Sequence, residues 1–164
     1  MLSPLVSPIL ETRLAAWPDE AACAATAGRL ASRPALHDAF VELHGPLGAG
    51  KTTFARHLLH ALGVEGRVKS PTYAVVETYD LPSGTVAHFD FYRFDDPQEW
   101  EDAGLRELFA APGLKLVEWA EKAAPLLPVP DLRVTIAPHD SGDRAVRIDA
   151  MTPKGLQLLD NPAT

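Results

Sequence analysis

The run Gly45-Pro46-Leu47-Gly48-Ala49-Gly50-Lys51-Thr52 fits G-x-x-x-x-G-K-[ST] at every position. That pattern constrains the fold, because it works only where a strand hands over to a helix. Both neighbours are present: residues 40–43 are a short apolar run, and from Lys51 the apolar positions Phe54, Leu58 and Leu62 follow a period near 3.6 until Gly63 stops them. Glycines let a loop curl until successive N–H groups face a common centre, and a helix start adds the positive end of its dipole there. Such a cradle takes phosphates. Lys51 is placed to contact β- and γ-phosphates, the Thr52 hydroxyl to ligate Mg²⁺, and the Thr53 hydroxyl to lie near the α-phosphate. Pro46, Leu47, Gly48 and Ala49 contribute backbone. The expected class is therefore α/β: a P-loop NTPase-like three-layer sandwich around a mixed sheet.

The mixed sheet follows from two hairpin patterns. Residues 73–79 and 85–91 flank an Asp80-Leu-Pro-Ser-Gly84 turn, and residues 131–137 and 144–150 flank Ser141-Gly142-Asp143. Pro18, Asp19 and Glu20 mark the start of an Ala-rich helix ending near Ser32. Asp96-Pro-Gln-Glu99 reads as a capping box opening a helix to about Phe109. Residues 114–117 form a buried strand, 121–127 a short helix, and 155–159 one helical turn. A single domain over residues 1–164 is expected, with a core at about 18–150 and peripheral tails at 1–12 and 151–164, residues 1–8 being frayed.

A P-loop needs an acid at the end of a neighbouring strand to hold the metal, directly or through water. Two acids occupy such places: Asp90 after Val86-Ala-His-Phe89, and Glu118 after Leu114-Lys-Leu-Val117. Either alone could be a solvated strand-end carboxylate, and the sequence does not divide the roles between them. His88 and Arg93 flank Asp90, as possible orienting groups or as ordinary packed and surface residues. His57 and His60, three apart on a helix with no third ligand, read as a solvated face rather than a metal pair. Cys23 reads as a small buried side chain, and as the single cysteine it forms no internal disulfide.

The formal net charge is −7, so the basic surplus that drives autonomous nucleic-acid binding is missing. No apolar run reaches the roughly 20 residues that span a bilayer. With no secretory pattern at the start, a cytoplasmic protein is expected. The absence of an N/T-K-x-D segment disfavours guanine and leaves ATP as the expected nucleotide.

Beyond the phosphate loop stand Val68-Lys-Ser-Pro-Thr-Tyr73, His88-Phe-Asp-Phe-Tyr-Arg93, Gly104-Leu-Arg-Glu-Leu-Phe109 and Leu116-Val-Glu-Trp119, in that order. Together they closely resemble the TsaE (YjeE) family of bacterial ATPases, over residues 18–150. The resemblance implies a weak, Mg²⁺-dependent ATPase with its P-loop at one edge of the sheet. It implies action in threonylcarbamoyl modification of tRNA adenosine with a TsaB–TsaD complex, with tRNA reached only through those partners. It also implies that Lys51, Asp90 and Glu118 are catalytic, that Thr52, Asp90 and Glu118 serve the metal, and that Ser70-Pro71-Thr72 is a switch segment. The start of the first helix near Glu20 would help close the base pocket. Pro46 departs from the Asp common in relatives, a change the loop is expected to tolerate although proline has no N–H to donate. Two rival readings are a small-metabolite kinase, weakened by the lack of an arginine-rich lid, and a non-catalytic nucleotide-sensing adaptor.

Overall fold

Side chains alternate across each strand, so a sheet with both faces apolar must be covered twice. The computed structural model, which describes residues 8–159, shows that arrangement. In chain order the elements are β1 (Glu11–Trp17), α1 (Glu20–Ala31), β2 (Phe40–His44), α2 (Lys51–Ala61), β3 (Val76–Leu81), β4 (Gly84–Asp90), α3 (Gln98–Asp102), α4 (Leu105–Ala110), β5 (Leu114–Glu118), β6 (Leu132–Pro138), β7 (Arg144–Ala150) and α5 (Pro153–Leu158). The strands form one seven-stranded sheet in the order β1-β7-β6-β2-β5-β4-β3. β4, β5, β2 and β6 run parallel, while β3, β7 and β1 join their neighbours antiparallel.

On one face Val41, Leu43, Leu114, Leu116, Val134 and Ile136 pack under α1 and α2, where Phe54 and Leu58 are fully buried. On the other, Phe40, Ala87, Phe89 and Val117 meet Trp100, Leu105 and Phe109 from α3 and α4. The aromatic rings interlock edge to face, Phe40 with Phe109 at 4.8 Å and Trp100 with Phe109 at 5.2 Å between centroids. This is the expected three-layer sandwich.

Several boundaries differ from the sequence expectations. β1 falls partly in the segment 1–12 expected to be peripheral, because its support comes from the ladder with β7 and not from its own pattern. Leu14 in its centre is 81% exposed, whereas Trp17 is buried, stacks on Phe54 at 5.4 Å and donates its indole N–H to Thr26. At the other end α5 extends the core, with Leu158 and Leu159 buried. The expected frayed start lies, but for Pro8, outside the described residues, as do residues 160–164. The helix expected from Asp96 to Phe109 is two short ones, since Gly104 adopts φ 68° between them. β3 starts at Val76 rather than residue 73, because Val75 turns the chain with its N–H on the Pro71 carbonyl (2.6 Å) and φ 71°. Positive φ is strained for a β-branched residue. The glycine-rich loop leaves the middle strand of the sheet, not an edge strand, because β2 lies between β5 and β6.

Candidate functional site

β2 ends at His44 and α2 begins at Lys51, so the glycine-rich loop bridges the end of the central strand and a helix start. Gly45 has φ 148° and lies so near β6 that a methyl group there would sit 2.5 Å from the Ile136 carbonyl oxygen. Gly50 caps α2 at φ 110°. The Ala49 N–H closes the loop onto the Pro46 carbonyl at 3.0 Å. The first amides of α2 have no intrahelical acceptor and present a partial positive charge to the loop.

Lys51 is 5% exposed and donates from Nζ to the Gly45 carbonyl at 2.5 Å. Its ammonium lies 3.6 Å from the centroid of the Trp119 ring, a cation–π contact. Burial pulls its pKa below the ordinary lysine value, opposed by the charges of Glu118, Glu121 and Asp90.

The two acids come together as register partners at the ends of β4 and β5. Glu118 is 2% exposed; its Oε1 accepts from the Thr52 hydroxyl at 2.9 Å and its Oε2 from His88 Nε2 at 2.7 Å. Asp90 is also buried, and accepts from the Tyr92 N–H at 2.8 Å and the Thr72 hydroxyl at 3.0 Å. Burial raises the Asp90 pKa above the ordinary carboxylate value; the Tyr92 N–H counters this, and the nearby Glu118 charge adds to it. The fold thus spends stability to keep two carboxylates adjacent, a mark of sites that use charge.

The flanking residues behave differently from one another. His88 orients Glu118, not Asp90, and its buried Nδ1 has no partner. Arg93 has its guanidinium 5.0 Å from the exposed Tyr73 ring. Thr72, in the expected switch segment, is the residue tied to Asp90. His57 faces Glu20 at 3.6 Å, and His60 bonds the Gly66 carbonyl.

Sequence inspection did not single out the other wall. A cavity of about 100 Å³ opens beside Gly50 and Thr53, lined also by Trp17, Asp19, Glu20, Cys23 and Arg144. Glu20 alone was anticipated. Arg144, from β7, donates through Nε to the Ala49 carbonyl at 2.6 Å and braces the loop from 95 residues away. No local pattern marks such a contact. Cys23 is both a buried packing residue and part of this wall. Burial, with Glu20 adding to it, pushes its thiol up to about 11. Only the thiolate reacts, so on the order of one thiol in a thousand is reactive at about pH 8. Alkylation by iodoacetamide is therefore expected to be slow at neutral pH and to accelerate toward pH 11. Because the native thiol holds its proton longer than an unfolded one, stability falls over the same interval. Mass spectrometry of the alkylated protein reads the pH dependence.

Could this site hold Mg²⁺? Among the described residues no cluster of three or more His, Cys, Asp or Glu side chains suits a metal by itself. Mg²⁺ usually binds through one or two carboxylates together with substrate phosphates and water. One hydroxyl and two buried carboxylates beside a phosphate cradle are hard oxygen donors of that kind. The residues fit.

A glycine-rich loop joining a central parallel strand to a helix, with paired strand-end carboxylates alongside, defines an α/β protein of the P-loop-like class. Residues 17–146 match the family model described as "Threonylcarbamoyl adenosine biosynthesis protein TsaE". The TsaE protein of Haemophilus influenzae is 42% identical over 119 residues, 73% of this chain and 75% of that one. Its Bacillus subtilis counterpart is 38% identical over 109 residues, 66% of this chain and 68% of the relative. A crystal structure of Bacillus subtilis YdiB superposes with a TM-score of 0.74 at 26% identity, covering 93% of this chain and 94% of that one. This chain belongs to the TsaE family.

Proposed function

We propose that this protein binds ATP with Mg²⁺ and hydrolyses it slowly, in the service of threonylcarbamoyladenosine formation in tRNA. We further propose that it works in the cytoplasm with a TsaB–TsaD pair and meets tRNA through those partners. The pathway comes from its family. The nucleotide chemistry rests on one observation above all: the Thr52 hydroxyl, behind Lys51 on the loop, is bonded to Glu118, which is register partner of Asp90. No helix among the described residues is long and apolar enough to cross a membrane.

Loop amides and the Lys51 ammonium would take the β- and γ-phosphates, Lys51 exchanging the Gly45 carbonyl and the Trp119 face for phosphate oxygens. Thr52, with Asp90 and Glu118, would hold the Mg²⁺. The bound ion would supply positive charge where negative charge develops on the γ-phosphate. Glu118, fixed on both oxygens by Thr52 and His88, suits orientation of an attacking water. Asp90 holds the Thr72 hydroxyl and so couples residues 70–72 to the same end of the sheet. The cavity beside Gly50 and Thr53 suits the base and ribose end, with the Arg144 guanidinium at its wall.

Arg93, the arginine next to Asp90 in sequence, is held over Tyr73. Slow turnover alone and faster turnover with partners are expected. Phosphate release measured with and without TsaB–TsaD tests this. A several-fold rise is expected, and equal rates would refute partner activation.

A further inference from the structure

A second cavity, of about 350 Å³, lies at the starts of β2 and β5, the end of the sheet remote from the phosphate loop. Its volume falls in the range of small-molecule sites. Phe40, Trp100 and Phe109 give it an aromatic wall, and Lys115 contributes a cation. Lys115 is 7% exposed, and its Nζ donates to the carbonyls of Ala111 and Gly113. It forms no ion pair among the described residues. Trp100 is 2% exposed, and its indole N–H has no partner.

The polar atoms around this cavity are unequally committed. Asp131 accepts from the Phe40 N–H at 2.8 Å and the Thr152 hydroxyl at 2.6 Å. Asp38 accepts from the Gly113 N–H at 3.1 Å and faces Lys154 at 3.7 Å. Arg106 at the rim is paired with Glu101. The acceptors and the rim cation are thus engaged, while two donors are not: the Trp100 indole N–H and the remaining ammonium capacity of Lys115. A buried donor without an acceptor is costly, and Lys115, whose hydrogen bonds go to neutral carbonyls while the Asp38 charge acts on it without a direct ion pair, still attracts an anion.

We infer that this cavity is a binding site for a small planar organic anion, an aromatic carboxylate, with its ring against Phe40, Trp100 and Phe109 and its carboxylate between Lys115 and the Trp100 indole N–H. The site is separate from the phosphate loop and does not depend on ATP binding there.

Sodium benzoate and its neutral isostere benzamide are the probes, titrated into the ¹⁵N-labelled full chain with and without saturating Mg-ATP. The three indole N–H resonances (Trp17, Trp100 and Trp119) are assigned with Trp100→Phe. Benzoate is expected to shift the Trp100 resonance in a saturable way, unaltered by Mg-ATP. Benzamide should bind at least about tenfold more weakly, because it cannot form the charge-assisted contact. Lys115→Met, which keeps the stem and removes the charge, should weaken benzoate by a similar factor. Equal binding of the two probes, a shift that never saturates, displacement by Mg-ATP, or undiminished binding to Lys115→Met would each overturn the proposal. Should Lys115→Met fail to fold, the benzoate–benzamide comparison on the native chain decides by itself.

Discussion

Lys51→Ala is expected to reduce ATP hydrolysis to background and weaken nucleotide binding about 10- to 100-fold, as one or two charge-assisted hydrogen bonds to phosphate are lost. The fold should survive. Lys51 is a buried cation whose charged form burial disfavours, so where it is protonated its charge subtracts from stability, and its removal relieves that cost. Calorimetric titration with Mg-ATP, beside a thermal melt, separates lost affinity from unfolding. The Trp119 contact supplies a further readout. In the native chain phosphate should draw the ammonium off the indole and change Trp119 emission, whereas in Lys51→Ala the ring has no such cation to lose. Native-like affinity in a folded Lys51→Ala protein would remove the loop from the mechanism.

Glu118→Gln should be the second severe change, through a different step. Glutamine keeps the shape and can still bond Thr52 and His88, so nucleotide binding should alter by no more than a few-fold. Turnover should fall by about 100-fold or more, the loss expected when a charge that orients or deprotonates water is removed. Glu118→Ala should add a stability defect of about 1–3 kcal/mol, because His88, fully buried, would lose its hydrogen-bond partner. Single-turnover hydrolysis, binding and melting of both variants distinguish these effects. Turnover retained in Glu118→Gln would shift the catalytic role to Asp90.

The contrast between these two residues bears on what could be read beforehand. Lys51 is legible from eight contiguous letters, because the loop pattern is local: its glycines, lysine and hydroxyl fall within one short stretch of chain. Asp90 and Glu118 were legible as strand-end acids, but not as neighbours, since their adjacency depends on β4 pairing with β5 in parallel register. His88, readable beforehand either as an orienting group for Asp90 or as an ordinary packed residue, instead bonds the other acid, its Nε2 reaching across to Glu118. β1 was missed because its alternation is weak and its ladder partner lies more than a hundred residues on. Arg144 on the Ala49 carbonyl, and Cys23 with Trp17 in the cavity wall, were out of reach altogether.

By itself the sequence determined the class, the glycine-rich loop, the two strand-end acids and the family likeness, because each is written in residues close together or at fixed strand ends. Tertiary structure alone decided which strand stands at the centre, which histidine holds which acid and which distant side chains wall the two cavities. The physical reason is that hydrogen bonds and packing between strands join residues by register, and register is a property of the assembled sheet.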